Sequence, residues 1–452
     1  MANTKGLHQL TVTEVAAAIR EKRLSAVELM EALLARSRKL EPRLRVWVTM
    51  DEGAALAEAR KSQRDLERSG PKGPLHGIPV GVKDTFLTKG MRTTYCSPIY
   101  ADFVPKEDAT TVAKLREAGA IIMGKTVTTQ FAYGDPSPTR NPWNEGRTPG
   151  GSSSGSAAGT AAGYFPAALG SQTAGSVLRP AAYNGVVGVK PTMGRLSRFG
   201  VIPDAWSLDT MGYFCRTVED AALLLMVMSG QDPKDPSSSS LPVPDYTKAA
   251  RRRATKPRIG LMRQFFLERA DPEMAAHIEQ VARRLKKAGA SVREVRVEMD
   301  FDTLQYAHRI VMAVEGAAVH QADFAKRPDD YARDVRRWVE MGQLIPGATY
   351  VNAQRVRGRF RRLLGEAMAG VDAVLTSTAA VPAPDPATTG DPRWQAPFTT
   401  AGFPALTLPS GLSKDGLPFG TQLVATPFAE ERLLTVAAWI ERVLDVRLSP
   451  PV

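Results

Sequence analysis

The chain has 452 residues, 43% hydrophobic and 23% charged, with a formal net charge of +12 and two cysteines, Cys96 and Cys215. That length holds one large domain or two to three ordinary ones, and the composition is ordinary for a soluble globular protein. Two cysteines exclude a disulfide framework and a closed zinc site, and no run approaches the ~20 apolar residues of a membrane span. Met1 to His8 lack the apolar core of a secretory signal, so a cytoplasmic location is expected. The five histidines (His8, His76, His277, His308, His320) are scattered and form no helical metal pair. This argues against a Ser-His-Asp triad and a zinc hydrolase; neither metal nor cofactor is expected.

In chain order, residues 10–40 predict two amphipathic helices, with Thr13 and Ser25 as N-caps. Another helical pattern runs from Asp51 to Arg68 and ends at Ser69-Gly70-Pro71. His76 reads as a packed loop residue. Ile78–Val82 predicts a strand closing on Lys83, Ala109–Ala118 a helix capped by Asp108, and Ala120–Met123 a strand. Gly119 to Thr126 formally matches GxxxxGK[ST], but a helix precedes it and its Ala-Ile-Ile-Met interior is strand-like, so no phosphate loop is expected. Val186–Val189 predicts a strand and Val218–Met228 an apolar helix capped by Thr217. Asp232 to Ser240 is linker-like. Beyond it, Arg258–Leu261, Ser291–Val295 and Ala373–Leu375 read as strands among helices. The βα alternation argues an α/β fold around a buried sheet. Basic residues gather at Arg251-Arg252-Arg253 with Lys256 and Arg258, and at Arg355, Arg357, Arg359, Arg361 and Arg362. Arg355, Arg359 and Arg362 share one helical face, read as a solvated surface.

The residues with chemical potential lie in three places. Lys83 ends an apolar strand, where burial favours the neutral amine. Ser152 lies in Gly150-Gly151-Ser152-Ser153-Ser154-Gly155-Ser156, and Ser176 in Ser171-Gln172-Thr173-Ala174-Gly175-Ser176. Two serines, a lysine and a glycine-lined turn suffice for nucleophilic acyl chemistry. Unpaired N–H groups before the helix start at Val177 make the backbone amides of Thr173, Ala174, Gly175 and Ser176 candidates for an oxyanion hole. Asp84 should point away from Lys83 by strand alternation, because an ion pair would keep the lysine charged.

These motifs, with Gly81-Val82-Lys83-Asp84, Gly185 to Thr192 and Ala401 to Pro409, resemble the amidase signature family of serine hydrolases. The resemblance is dense over residues 70–230. It implies a large mixed central β-sheet covered by α-helices on both faces. One domain would span 1–452: an N-terminal helical segment (1–68), a catalytic core (70–230) and a C-terminal part (244–452) returning to the same sheet. It further implies Ser176 as nucleophile, a cis Gly151–Ser152 bond, Ser152 as proton relay and Lys83 as base. The activity implied is hydrolysis of the C–N bond of a small carboxamide through an acyl-serine. The alternatives are the glutaminase subunit of a tRNA-dependent amidotransferase and a non-catalytic scaffold. Many members carry Asp-Thr-Gly-Gly-Ser where this chain has Gln172-Thr173-Ala174-Gly175-Ser176. Arg179 is similar to the carboxylate clamp of malonamidase-like members; its other reading is a buried pair with an acid. By loop position Thr128, Gln130, Phe131 and Tyr133 are candidate substrate-binding residues, with Met193–Phe199 and Trp394–Pro397 as further walls. The partners expected are a small-molecule amide and, by family habit, a second copy; neither membrane nor nucleic acid is expected.

Overall fold

Short buried runs alternate with helical stretches to build one sheet of eleven strands. They are β1 Trp47–Met50, β2 Pro79–Lys83, β3 Ile121–Thr126, β4 Ala167–Gln172, β5 Val187–Lys190, β6 Thr210–Cys215, β7 Arg258–Leu261, β8 Ser291–Glu294, β9 Ala373–Ser377, β10 Ala405–Leu412 and β11 Pro418–Val424. The computed structural model describes residues 6–252 and 256–452; Met1 to Lys5 and Arg253 of the first basic cluster lie outside the described residues. The strand order is β1-β3-β2-β4-β6-β5-β10-β11-β9-β7-β8. β2 runs parallel to β3 and β4, β4–β6–β5–β10–β11–β9 pair antiparallel, and β7 is parallel to β8 and β9. The sheet is therefore mixed, flanked by helices, and strands from both halves of the chain join edge to edge at β5 and β10.

Five strands escape the pattern reading: β1, β4, β6, β10 and β11. β4 is Ala-Ala-Leu-Gly-Ser-Gln, a poor strand former by propensity, yet all six positions are buried. Burial between two neighbours overrides local preference there. Helix Val12–Arg20 is capped by Thr11, not Thr13, with a reciprocal bond to Glu14. Thr13 instead donates to Asp220 through both its N–H and its hydroxyl. Asp108 caps no helix; it accepts from Lys89 N at 2.7 Å, and helix Thr110–Glu117 begins without a side-chain cap. The linker-like segment is pinned, since Asp232 accepts the hydroxyls of Thr110 and Ser197 at 2.6 and 2.5 Å. On helix Gly347–Ala367, Arg355, Arg359 and Arg362 are exposed and Arg362 pairs with Glu366 at 2.7 Å.

Two features position the site. β2 lies between β3 and β4 with every residue buried, so Lys83 emerges at the carboxyl end of interior parallel strands. Helix Ser154–Ala162, built of Ser, Gly, Ala and Thr, packs closely above them. A Cβ at Gly159 would lie 2.4 Å from the Phe165 ring, so only glycine permits this approach.

Candidate active site

Lys83 is fully buried, and its Nζ donates to Ser152 Oγ at 2.7 Å and Ser171 Oγ at 2.9 Å. Among the described residues it makes no ion pair. Asp84, the next residue, leaves on the other side of the strand. It pairs with Lys125 Nζ at 3.3 Å and accepts the N–H and hydroxyl of Thr94 at 3.0 and 2.7 Å. Lys125 also donates to the Phe86 carbonyl and to Thr93 Oγ1, so the apparent phosphate-loop lysine is an interior ion-pair partner. Burial brings the Lys83 ammonium down to about 7, while the fields of Asp204, Asp209 and Cys96 oppose that fall.

The Gly151–Ser152 peptide bond is cis. Ser153 N donates to the Ser176 carbonyl at 3.4 Å, which draws the two serine segments together. Exposure rises from 0% at Lys83 through 1% at Ser152 to 9% at Ser176, so the amine is deepest and Ser176 nearest to solvent.

The turn before Ser176 is braced by Gln172. Its Oε1 accepts the N–H groups of Val177 and Leu178 at 2.9 and 3.0 Å. Its Nε2 donates to Thr399 Oγ1, which in turn donates to the Ala174 carbonyl at 2.8 Å. Two donors of the short helix Leu178–Asn184 are thereby satisfied from behind. The amides of Ala174, Gly175 and Ser176 donate to no group among the described residues. Thr173 Oγ1 donates to Asp209 at 2.5 Å. A Cβ at Gly175 would lie 2.3 Å from Gln395 Oε1 and 3.3 Å from Arg179 Nη1, so that position admits no side chain.

Arg179 is 4% exposed and donates to the Gly151 carbonyl at 2.7 Å and to Thr389 Oγ1 at 3.4 Å. Its Nε and Nη1 have no hydrogen-bond acceptor, and it makes no ion pair among the described residues. Asp391, whose field reaches it, is bound to Arg393. The reading of Arg179 as half of an acid pair is therefore not what the structure contains.

The loop of candidate pocket residues divides. The Gln130 side-chain amide is used up, donating to Asp330 O at 2.6 Å and Ser97 Oγ at 3.2 Å and accepting from Ala332 N. Phe131 stacks on Tyr331 with ring centroids 5.3 Å apart. Thr128 is buried with a hydroxyl that lacks a partner. Tyr133 turns inward to Asp204. Trp394 is core: it donates to the Phe266 carbonyl and packs on Phe265. His76 is held by Ser62 and Lys72, as a packed loop histidine. Sequence reasoning misses the buried Asp204–Asp209 pair, which carries no local motif signal, and names Ser171 and Gln395 only within longer runs, without a role for either. Among the described residues no group of three His, Cys, Asp or Glu is arranged to hold a metal, and no helix is long and apolar enough to cross a membrane.

Comparison with known proteins adds a second line of information. A family model described as Amidase matches residues 28–434. A glutamyl-tRNA(Gln) amidotransferase subunit of Geobacter metallireducens is 37% identical over 477 residues, covering 96% of this chain and 97% of that protein. The same subunit from Roseiflexus sp. strain RS-1 is 37% identical over 482 residues, with 98% of each covered. Among solved structures, native peptide amidase from Stenotrophomonas maltophilia superposes with a TM-score of 0.85 at 30% identity, over 98% of each chain. The relatives overturn the expected partner set of a small-molecule amide and a second copy, with nucleic acid excluded. By name they are subunits of a larger enzyme, an amidotransferase of glutamyl-tRNA(Gln). The amidotransferase subunit stands among the alternatives that the resemblance implies; composition does not favour it, because the +12 charge has an adequate explanation in solubility.

Proposed function

The chain belongs to the amidase family, and from that premise we propose that it releases ammonia from a carboxamide through an acyl-Ser176 intermediate, as the glutaminase subunit of a tRNA-dependent amidotransferase. Ser176 Oγ attacks the carboxamide carbon while its proton passes through Ser152 to the neutral Lys83 amine. The N–H groups of the Thr173–Ser176 turn receive the negative charge that develops on the carbonyl oxygen. The proton returns through Ser152 to the departing nitrogen, which leaves as ammonia, and water then attacks the acyl-serine. The observation that carries the reading is a buried lysine 2.7 Å from Ser152 Oγ that makes no ion pair among the described residues. A charged amine could not accept a proton; this one titrates at about 7.

Two observations favour glutamine as the ammonia source. The amidotransferase subunits align over nearly the whole chain. Arg179, buried beside Gly175 with no carboxylate partner and with acceptors lacking at Nε and Nη1, carries an uncompensated positive charge that would attract a substrate carboxylate. A fluorophosphonate should label Ser176, and mass spectrometry should find no adduct after Ser176→Ala; absence of the adduct in the unsubstituted chain refutes the acyl-serine chemistry. Affinity purification from the source cell should recover partner subunits that raise glutamine turnover. Full glutamine turnover by the isolated chain, with no subunit recovered, leaves an independent amidase.

A further inference from the structure

We infer that Arg357 is a positioning residue for acylation: its guanidinium ties together the two supports of the reactive turn and so fixes where the amides of Ala174, Gly175 and Ser176 point. The inference rests on the acyl-Ser176 reading and adds to it a residue remote from the reacting atoms. Of the five arginines on helix Gly347–Ala367, Arg355, Arg359, Arg361 and Arg362 are exposed, whereas Arg357 turns inward.

The reactive turn is gripped at two points. On one side Asp209 accepts Thr173 Oγ1 at 2.5 Å, and the same carboxylate accepts the N–H groups of Asp204 and Ala205 at 2.9 and 3.1 Å, which locks it onto its own loop. On the other side Thr399 Oγ1 donates to the Ala174 carbonyl and accepts from Gln172. Each grip is only as firm as the backbone that carries it, and Arg357 holds both backbones. Its Nε donates to the Thr400 carbonyl at 2.7 Å, next to Thr399. Its Nη1 donates to Ser207 Oγ at 2.7 Å and its Nη2 to the Ser207 carbonyl, two residues before Asp209. Its other contacts, Gln354 Oε1 at 3.4 Å and Met193 Sδ at 3.9 Å, are long.

Ser207 is also held from a second helix. Glu315, buried on helix Phe301–Lys326, accepts the Ser207 N–H at 2.9 Å and is itself fixed by the Tyr350 hydroxyl at 2.8 Å. The N–H and carbonyl of one loop residue thus meet a carboxylate and a guanidinium. The N–H groups of Leu208 and Asp209 both donate to the Ala205 carbonyl at 2.8 Å, so a displaced Ser207 carries Asp209 with it. Opposite, His308 Nδ1 lies 2.8 Å from Thr400 Oγ1 and helps to seat the short helix Ala396–Ala401. A guanidinium reaches both segments at once because its donors form a rigid planar fork; a lysine ammonium is a point charge that spans no such gap. Loosening both grips lets the amides of the turn swing away from the developing oxyanion, and a misplacement of roughly 1 Å at a reacting centre costs about a hundredfold in rate.

The test follows fluorophosphonate labelling of Ser176 in the full chain as probe concentration and pH are varied. Arg357→Ala should lower the limiting labelling rate about a hundredfold while the half-saturating probe concentration stays nearly constant. The pH midpoint near 7, set by Lys83, should not move. Millimolar propylguanidinium should restore the rate at least tenfold, whereas propylammonium, of equal charge, should not. Arg357→Lys keeps the charge and the aliphatic stem; it should lose at least tenfold in the same rate, and it carries the test if Arg357→Ala does not fold. An unchanged limiting rate, a weakened half-saturation alone, or a shifted pH midpoint overturns the positioning role. So does a loss that propylguanidinium leaves in place and that merely tracks the folded fraction. In each of these cases labelling of the unsubstituted chain leaves the acyl-serine reading standing, whereas absence of any adduct there removes both.

Discussion

Replacing Lys83 by methionine should stabilise the protein while abolishing acylation of Ser176. The side chain is fully buried and its ammonium titrates at about 7 rather than 10.5. Because the folded-state value lies below that of unfolded lysine, the native chain binds fewer protons between those limits. The unsubstituted chain therefore gains stability from this group as pH rises from about 7 to 10.5. Below pH 7 the burial cost is about 5 kcal/mol, and at pH 8 about 3 kcal/mol, on the scale of ~1.4 kcal/mol per tenfold change in proton affinity. Methionine removes that cost at nearly equal volume but leaves the hydroxyls of Ser152 and Ser171 without their shared donor, at about 1 kcal/mol each. Lys83→Met should thus be about 3 kcal/mol more stable at pH 6 and about 1 kcal/mol more stable at pH 8. Urea unfolding at both values measures the difference, and fluorophosphonate labelling of the same samples reports the loss of the base. A variant less stable than its parent by the same amount at both pH values would mean that Lys83 is charged and paired in the native state, and the base assignment would fall with it.

Fluorophosphonate labelling of Ser176 in the unsubstituted chain should rise through about pH 7 and level off above it, following the neutral fraction of Lys83; a flat rate from pH 5 to 9 would contradict that. Lys125→Met leaves Asp84 buried and uncompensated, so it should cost about 3–5 kcal/mol in denaturant unfolding, with Asp84→Asn in the same chain restoring most of the loss. Gln172→Ala removes two accepted N–H bonds and the link to Thr399; thermal unfolding should show a loss of about 2 kcal/mol, and labelling should slow. Arg179→Met should raise KM at least tenfold for amides that carry a carboxylate and much less for uncharged amides, as an ammonia-release assay would record.

The parts of the site that are legible in the sequence are those whose chemistry is local. Ser176 after a glycine turn, Ser152 in a run of small residues and Lys83 at the end of an apolar strand each stand out within ten residues of their neighbours. The direction of Asp84 follows from strand alternation alone. The illegible parts depend on residues distant in the chain. Gln172 reads as a missing charge, whereas it braces the turn against Thr399. Asp204 looks like any turn acid until Tyr133 and Thr173 are seen to face it. Gln130 and Phe131 read as pocket lining, but Asp330, Tyr331 and Ala332 engage them. β4 carries no strand signal because burial between neighbouring strands, not residue preference, makes it extended.

The bond between Gln172 and Thr399 joins positions 227 residues apart. A nascent polypeptide that has emerged only through β6 already contains both serines, the lysine and Gln172, but neither Thr399 behind the reactive turn nor β10, which pairs with β5 to continue the sheet. The bracing of the reactive turn is thus completed only by segments synthesised late in the chain.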